Sequence, residues 1–501
     1  MSIKRNIVAG YVGQLYATLI GILLVPLYVE YMGVEAYGLV GFYTMLQGWF
    51  MLLDMGLTPT IGREAARYNG GGLDALLLRR LLRAFEGIFV VVGVAGALAL
   101  IAAAGTISDH WLKVQQLDLT EVRRAIVLMA VIVALRWLCG LYRGAVSGFE
   151  RIVWLSGFNI FIATLRFVVV IPYLLAFGAT PTDFFTYQLA VAVLEAGLLI
   201  GKTYRLLPRV TTSGWIRWQL QPLRGVMPFA LSAALTSVIW VLVTQTDKFI
   251  LSGLIPLADY AYFTLAVLVA SGIALLSSPI TGAILPRLTL LHAQGDIDGL
   301  NRLYRNATQL VVVVALPVVL VLAFFPAQVL TAWTGKAEVA ASAAPVLTLY
   351  AVGNGILALA AFPYFLQVAY GELRLHLIGN ILFVLLFVPL LLVAVSQFGM
   401  IGAGYAWIIA NLLPFVVWLP IVHHRYFKGL HLDWLIKDIA VIVFLPTIAA
   451  AFVLHYDRWP LGKLWLAAVL LIVYAGLTLL AAGSSSTVRN WMRGYARPGF
   501  A

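Results

Sequence analysis

The amino-acid sequence predicts an all-α polytopic membrane protein of about fourteen transmembrane helices, arranged as two parallel-repeat six-helix lobes plus two C-terminal helices. Three observations carry that reading. Hydrophobic residues make up 62% of the 501 and charged residues only 11%, whereas soluble domains carry about 25% charged residues. The apolar residues fall in runs of the length that a spanning helix requires, roughly 20 residues. The basic residues collect in alternate connectors between those runs, as the positive-inside rule demands of a multi-pass chain.

The first run, 6 to 29, follows Lys4 and Arg5 and has no small-residue cleavage site after it, so it reads as an uncleaved spanning helix. Runs at 37 to 56, 85 to 107, 122 to 142, 155 to 177 and 184 to 203 complete an N-terminal lobe at residues 1–203. A basic cytoplasmic linker at 204–224 follows. The second lobe, 225–422, holds runs at 225 to 254, 260 to 285, 307 to 326, 344 to 364, 376 to 396 and 402 to 422. Two more runs, 438 to 455 and 463 to 483, form an additional pair at 438–483, and a cytoplasmic tail occupies 484–501. Gly13, Ala17 and Gly21 recur every four positions in the first run and predict close helix packing. Pro26, Pro172, Pro228, Pro317, Pro389 and Pro414 fall in or near spans, where they permit kinks.

Placing the N-terminus in the cytoplasm puts 24 of the 33 Lys and Arg on the cytoplasmic side, and the bias then holds through almost every connector. A missed helix would invert every later loop, so the bias supports the helix count as well as two cytoplasmic termini. Only Lys113, Arg123, Arg124, Lys336, Arg458 and Lys463 fall outside, and Arg136, Arg166 and Lys248 fall within helices. In such a chain the excess of basic over acidic residues marks orientation and anionic membrane lipids and not nucleic acid.

A repeat groups the helices. Shifting the loop REAARYNGGGLDALLLRR by 224 positions lays Arg63 on Arg287, Gly71 on Gly295, Leu73 on Ile297, Asp74 on Asp298 and Leu76 on Leu300. A shift of 223 lays Tyr37 on Tyr260. The offset spans six helices, an even number, so the halves share one membrane orientation, as in transporters with parallel repeats.

The six, six and two arrangement, the loop TPTIGREAARYNGGGLDAL with its echo ILPRLTLLHAQGDIDGL, and TQTDKFILSGL in the seventh helix resemble the polysaccharide transporter family of Wzx-type flippases. That family belongs to the superfamily that also holds multidrug exporters and lipid II flippases. The resemblance implies two lobes around a central cavity and alternating access. It implies as cargo an undecaprenyl-diphosphate-linked sugar moved from the cytoplasmic to the periplasmic leaflet of the bacterial inner membrane. It also implies, as partners, the polymerase and chain-length regulator of the same pathway. A lipid II flippase would carry arginines in its first helix, and residues 6 to 29 contain none. A drug and cation antiporter would stop at twelve helices with an acid in the first, a place only Glu30 could fill. A membrane glycan polymerase or ligase would present a sizeable outer loop, whereas the connectors here are short.

A charge at the bilayer centre costs about 2.5 to 3.5 kcal/mol on insertion scales, so embedded charges face a cavity or a partner. The candidates for substrate binding are therefore Arg136, Arg166, Lys248, Asp247 and Glu195. Helices eight through twelve have no charge in their apolar spans, so the cavity is expected to be cationic on the first-lobe side and oily on the second. Arginine offers a fixed fork of donors to phosphate oxygens and lysine a point charge. The bland alternative pairs Arg136 with Glu195 and Lys248 with Asp247, or lets each snorkel. Arg63 and Arg287 are candidates for a cytoplasmic gate or headgroup contact, against a simple solvated basic loop.

No cofactor is expected. The glycines of NGGGLDAL lack the Lys-Ser/Thr of a P-loop, and HHRYFKGLHLD has no zinc-binding spacing. The single cysteine, Cys139, allows no intramolecular disulfide.

Overall fold

The computed structural model describes residues 3–210, 221–455 and 462–495. Arg217 and Arg458, the middle of the expected 204–224 linker and the end of the expected 484–501 tail lie outside the described residues. The chain is all-helical: among the described residues the sole β pairing is an isolated bridge between Lys113 and Pro256. Contacts divide it into two units, Met1–Ala261 and Tyr262–Ala501.

In the first unit, α1 (Ile3–Leu23) and α2 (Val25–Met32) together make the expected first span, broken at Leu24, with Pro26 in the first turn of α2, where its missing N–H is harmless. Next come α3 (Val34–Phe50), a 3-10 turn at Met51–Asp54, α4 (Leu57–Asn69) and α5 (Ala75–Thr106). Asp74 caps α5, its carboxylate accepting from Leu76 and Leu77 backbone N–H at 2.9 and 3.2 Å. After a π turn at Ile107–Trp111 follow α6 (Leu119–Gly148), α7 (Ile152–Ala163), a second π turn at Thr164–Val169, α8 (Val170–Phe177), α9 (Pro181–Leu206) and α10 (Met227–Leu254). Helix α6 is the axis of the unit, packing against α3, α4, α5 and α9. Its Val122, Ala125, Ile126, Met129, Ala130 and Val133 are all at most 1% exposed, the spacing of one helical face. Gly13 and Gly21 set α1 against the chain from α7 onward: a Cβ at Gly13 would lie 3.2 Å from Ser156, and one at Gly21 3.5 Å from Phe167.

The division between units falls after the first turn of α11 (Leu257–Ala293). The second unit continues with α12 (Ile297–Phe324), α13 (Pro326–Thr334), α14 (Ala337–Tyr370) and α15 (Arg374–Tyr426). It closes with α16 (Leu430–Asp433), a π turn at Trp434–Ala440, α17 (Val441–Leu454), α18 (Lys463–Ser484) and α19 (Ser486–Tyr495). The last helices are fastened to α12 by Gln309. Its amide N–H2 donates to Asp438 at 2.7 Å, while its carbonyl accepts from Ser485 at 2.8 Å and from the Thr487 N–H at 3.0 Å. Arg305, one turn earlier on α12, pairs with the same buried Asp438 at 2.6 Å.

Among the described residues, twelve helices are long and apolar enough to cross a membrane, against the fourteen expected. One of the twelve is the 53-residue α15, whose Gly399 (φ 56°, ψ −138°) interrupts the helical backbone where two spans were expected.

Two expectations for the cytoplasmic loops need correction. Most of REAARYNGGGLDALLLRR is helical: Arg63 and Arg67 ride on α4, and Arg79, Arg80 and Arg83 on α5. Helix α4 is amphipathic, burying Leu57, Thr60, Ile61, Glu64 and Ala65, so its low hydropathy hides it from a search for spans. Arg287 likewise lies on α11. Of the repeat pairs, Gly71 and Gly295 both take positive φ (77° and 72°), as a turn beyond a helix end requires. Tyr37 and Tyr260 are each the fourth residue of their helix and both buried. Asp74 and Asp298 differ: Asp74 caps α5, but Asp296 caps α12.

Candidate functional site

A cavity of about 720 Å³ opens within the first unit, lined from α1, α3, α6, α7, α9 and the π turn at Thr164–Val169. Its lining holds Arg136, Arg143 and Arg166, with Glu195 as its acid. Gln14, Thr18, Gln47, Ser147, Ser156 and Asn159 add uncharged hydrogen-bonding groups.

Arg136 comes from α6, its side chain 8% exposed. One Nη donates to the Tyr43 hydroxyl at 2.5 Å and the other to Gln188 Oε1 at 3.0 Å. Its Nε has no hydrogen-bond partner and stands 3.9 Å from Glu195 Oε2, which is also unpartnered. Arg143, two turns further along α6, engages both Asn159 Oδ1 and Glu195 Oε1.

Arg166 sits on the π turn, a geometry that loosens the local backbone ladder. Three consecutive carbonyls there are each held by a side chain from elsewhere. Tyr187 donates to Leu165 O at 2.8 Å, Gln188 to Arg166 O at 2.9 Å and Tyr28 to Phe167 O at 2.7 Å. In a bilayer such loosened carbonyls must find donors within the protein. The Arg166 guanidinium lies 5.2 Å over the Phe167 ring, its Nε is buried without a partner, and no described carboxylate lies within 4.0 Å. Gln188 thus touches both arginines, accepting from the Arg136 side chain and donating to the Arg166 backbone.

The structure therefore gathers Arg136, Arg166 and Glu195 in one cavity and leaves Asp247 and Lys248 out of its lining. Asp247 is 1% exposed. Lys248 Nζ turns back on its own helix, donating to Thr244 O at 2.5 Å and lying 3.4 Å from Asp247 Oδ1. Arg63, in the first unit, and Arg287, in the second, are both exposed.

Sequence reasoning missed Arg143, Gln188 and Tyr43. The signal for Arg143 was present: it is seven residues from Arg136, so both lie on one face of α6. Glu86 was missed as well. It is buried in α5 and accepts from Tyr142 at 3.0 Å, from Tyr204 at 2.8 Å and from Arg83 at 3.1 Å.

Apolar helices of spanning length, with a buried, charged cavity among those of the first unit, define a multi-pass membrane protein. More particularly, the chain belongs to the family described as "Polysaccharide biosynthesis protein", whose model matches residues 3–292. It is similar to the "Putative O-antigen transporter" of Shigella flexneri, at 21% identity over 420 residues, covering 82% of this chain and 96% of that one. Among solved structures it resembles the lipid II flippase MurJ in an inward closed conformation, with a TM-score of 0.73 at 13% identity over 98% of this chain and 100% of that one. It also resembles an inward-facing multidrug transporter of the MATE family, with a TM-score of 0.67 at 16% identity over 83% and 94% of the two chains. At these identities the structural likenesses establish the fold alone.

Proposed function

We propose that this protein is a flippase that carries an undecaprenyl-diphosphate-linked oligosaccharide repeat unit from the cytoplasmic to the periplasmic leaflet of the bacterial inner membrane. It would serve exopolysaccharide, capsule or O-antigen assembly. The observation that carries the proposal is the cavity in which three arginines face one carboxylate, in a chain of a polysaccharide biosynthesis family.

A diphosphate loses its hydration on entering a membrane protein, and only fixed donors of opposite charge can replace it at tolerable cost. Arg166, with no acid beside it among the described residues, and Arg136, with an unsatisfied Nε, supply such donors. The uncharged polar groups of the lining suit sugar hydroxyls, and the polyprenyl tail stays in lipid. A cavity of about 720 Å³ is the size of ordinary small-molecule sites, about 300–1,000 Å³. It takes a headgroup and excludes a finished polymer. Alternating access then exposes the cavity first to one leaflet and then to the other. Both termini lie in the cytoplasm, and exposed Arg63 and Arg287 meet anionic headgroups on that side.

The test is extraction of lipids from a strain lacking this protein. Undecaprenyl-diphosphate repeat units should accumulate on the cytoplasmic leaflet, and complementation should clear them. Single repeat units accumulating on the periplasmic leaflet would place the block at polymerisation and overturn the proposal.

A further inference from the structure

We infer that the cavity is charge-matched to a diphosphate whose neighbouring sugars are uncharged, and that Glu195 is the residue that sets this selectivity. The inference rests on the flippase reading above and adds to it the charge class of the cargo glycan.

The lining holds three cations, Arg136, Arg143 and Arg166, and one anion, Glu195. They are not equivalent. Glu195 Oε1 is engaged by Arg143, which also holds Asn159, so that arginine is already answered. The other two are not: Arg136 Nε and Arg166 Nε are buried donors with no acceptor, and Arg136 Nε is 3.9 Å from the nearest Glu195 oxygen. Two positive charges are left over. A diphosphate diester carries one negative charge on each phosphate, so its head neutralises that surplus.

A uronic acid next to the diphosphate would bring a third anion. The third cation, Arg143, is already held by Glu195, so that carboxylate would be desolvated without a partner, which is costly. A neutral sugar meets no such cost, because Asn159 and the hydroxyl and amide groups of the lining can bond its hydroxyls. Replacing Glu195 with glutamine would free Arg143 and change the surplus from two positive charges to three.

The experiment uses the full-length protein in nanodiscs of zwitterionic lipid at neutral pH. Two short-chain polyprenyl diphosphates serve as probes, one carrying a hexose and one the corresponding hexuronic acid, with affinities read by intrinsic tryptophan fluorescence. The wild type should bind the hexose probe at least about tenfold more tightly, the effect of one poorly compensated charge. Glu195→Gln should shrink or reverse that ratio, while Glu195→Asp should keep its direction. Equal binding of the two probes by the wild type would overturn the inference and leave the flippase reading standing. An unchanged ratio in a Glu195→Gln protein that unfolds at the wild-type temperature would overturn it too. If neither probe binds, the diphosphate reading itself fails and the inference falls with it. Should Glu195→Gln not fold, the wild-type ratio alone decides.

Discussion

Arg166 and Arg143 line the same cavity, yet their removal should act in opposite ways. Among the described residues Arg166 has no carboxylate within 4.0 Å, so truncating it breaks no ion pair there. Its contact over Phe167 at 5.2 Å is a cation–π interaction of about 0.5–1 kcal/mol, and losing it is offset by removing an uncompensated buried cation. Arg166→Ala should therefore change folding stability by no more than about 1 kcal/mol in either direction. Arg143→Ala instead strands Glu195, whose side chain is 4% exposed. Breaking a buried pair costs about 3–5 kcal/mol. Arg143 is 28% exposed, and screening at its end brings the expected loss to about 2 kcal/mol. For transport the order reverses. On the proposed function Arg166 would offer charge-assisted hydrogen bonds to the cargo, and losing about 3 kcal/mol of them would weaken binding about a hundredfold. The single cysteine, Cys139, is free and 1% exposed, so a thiol-reactive fluorophore reports thermal unfolding directly. Polymer export at matched membrane levels reports transport. Arg166→Ala should unfold near the wild-type temperature and export little, and Arg166→Lys should restore export in part, because a point charge replaces a fork. Normal export by Arg166→Ala, or a thermal loss as large as that of Arg143→Ala, would refute the reasoning.

Gln188→Leu should lower export as Arg136→Ala does, because it frees both an Arg136 Nη and the Arg166 carbonyl; the double variant should lose less than the sum of the singles in a double-mutant cycle. Glu35→Gln should loosen the loop before α6, since the buried Glu35 carboxylate accepts from Gln115, Gln116 and Leu117 N–H at 2.5, 2.7 and 2.9 Å. An amide presents one donor to those donors, at a cost of about 2–4 kcal/mol, and limited proteolysis at residues 112–118 reads the result. Gly148→Val should abolish folded protein, because a Cβ there collides with the Gly62 carbonyl and forces α4 off α6; the thiol-reactivity assay on purified membranes reads this as early exposure of Cys139.

The all-helical class was legible because a bilayer admits few ways to satisfy backbone groups, so apolar runs of spanning length determine it. The lengths of the helices were less so. Hydropathy finds the part of a helix that sits in lipid, and α5 extends ten residues before its apolar run, from Ala75 rather than 85. The break at Leu24 and the π turn under Arg166 leave no mark on a hydropathy profile, since each changes the backbone without changing polarity. In the site, Arg136, Arg166 and Glu195 stood out because charges within spans are conspicuous by their cost. That argument identifies a charge as unusual but does not say what answers it. Lys248 and Arg166 look alike in the sequence, yet Lys248 is tied to Thr244 O and Asp247 on its own helix while Arg166 has no acid beside it among the described residues. Arg143 was hidden for the converse reason: near the end of an apolar run it passes for an interfacial residue, and only its shared face with Arg136 and the approach of α9 bring it to Glu195. What separates a transport site from a structural ion pair is thus the number of cations left over once the local acids are assigned, and that count depends on which helices meet.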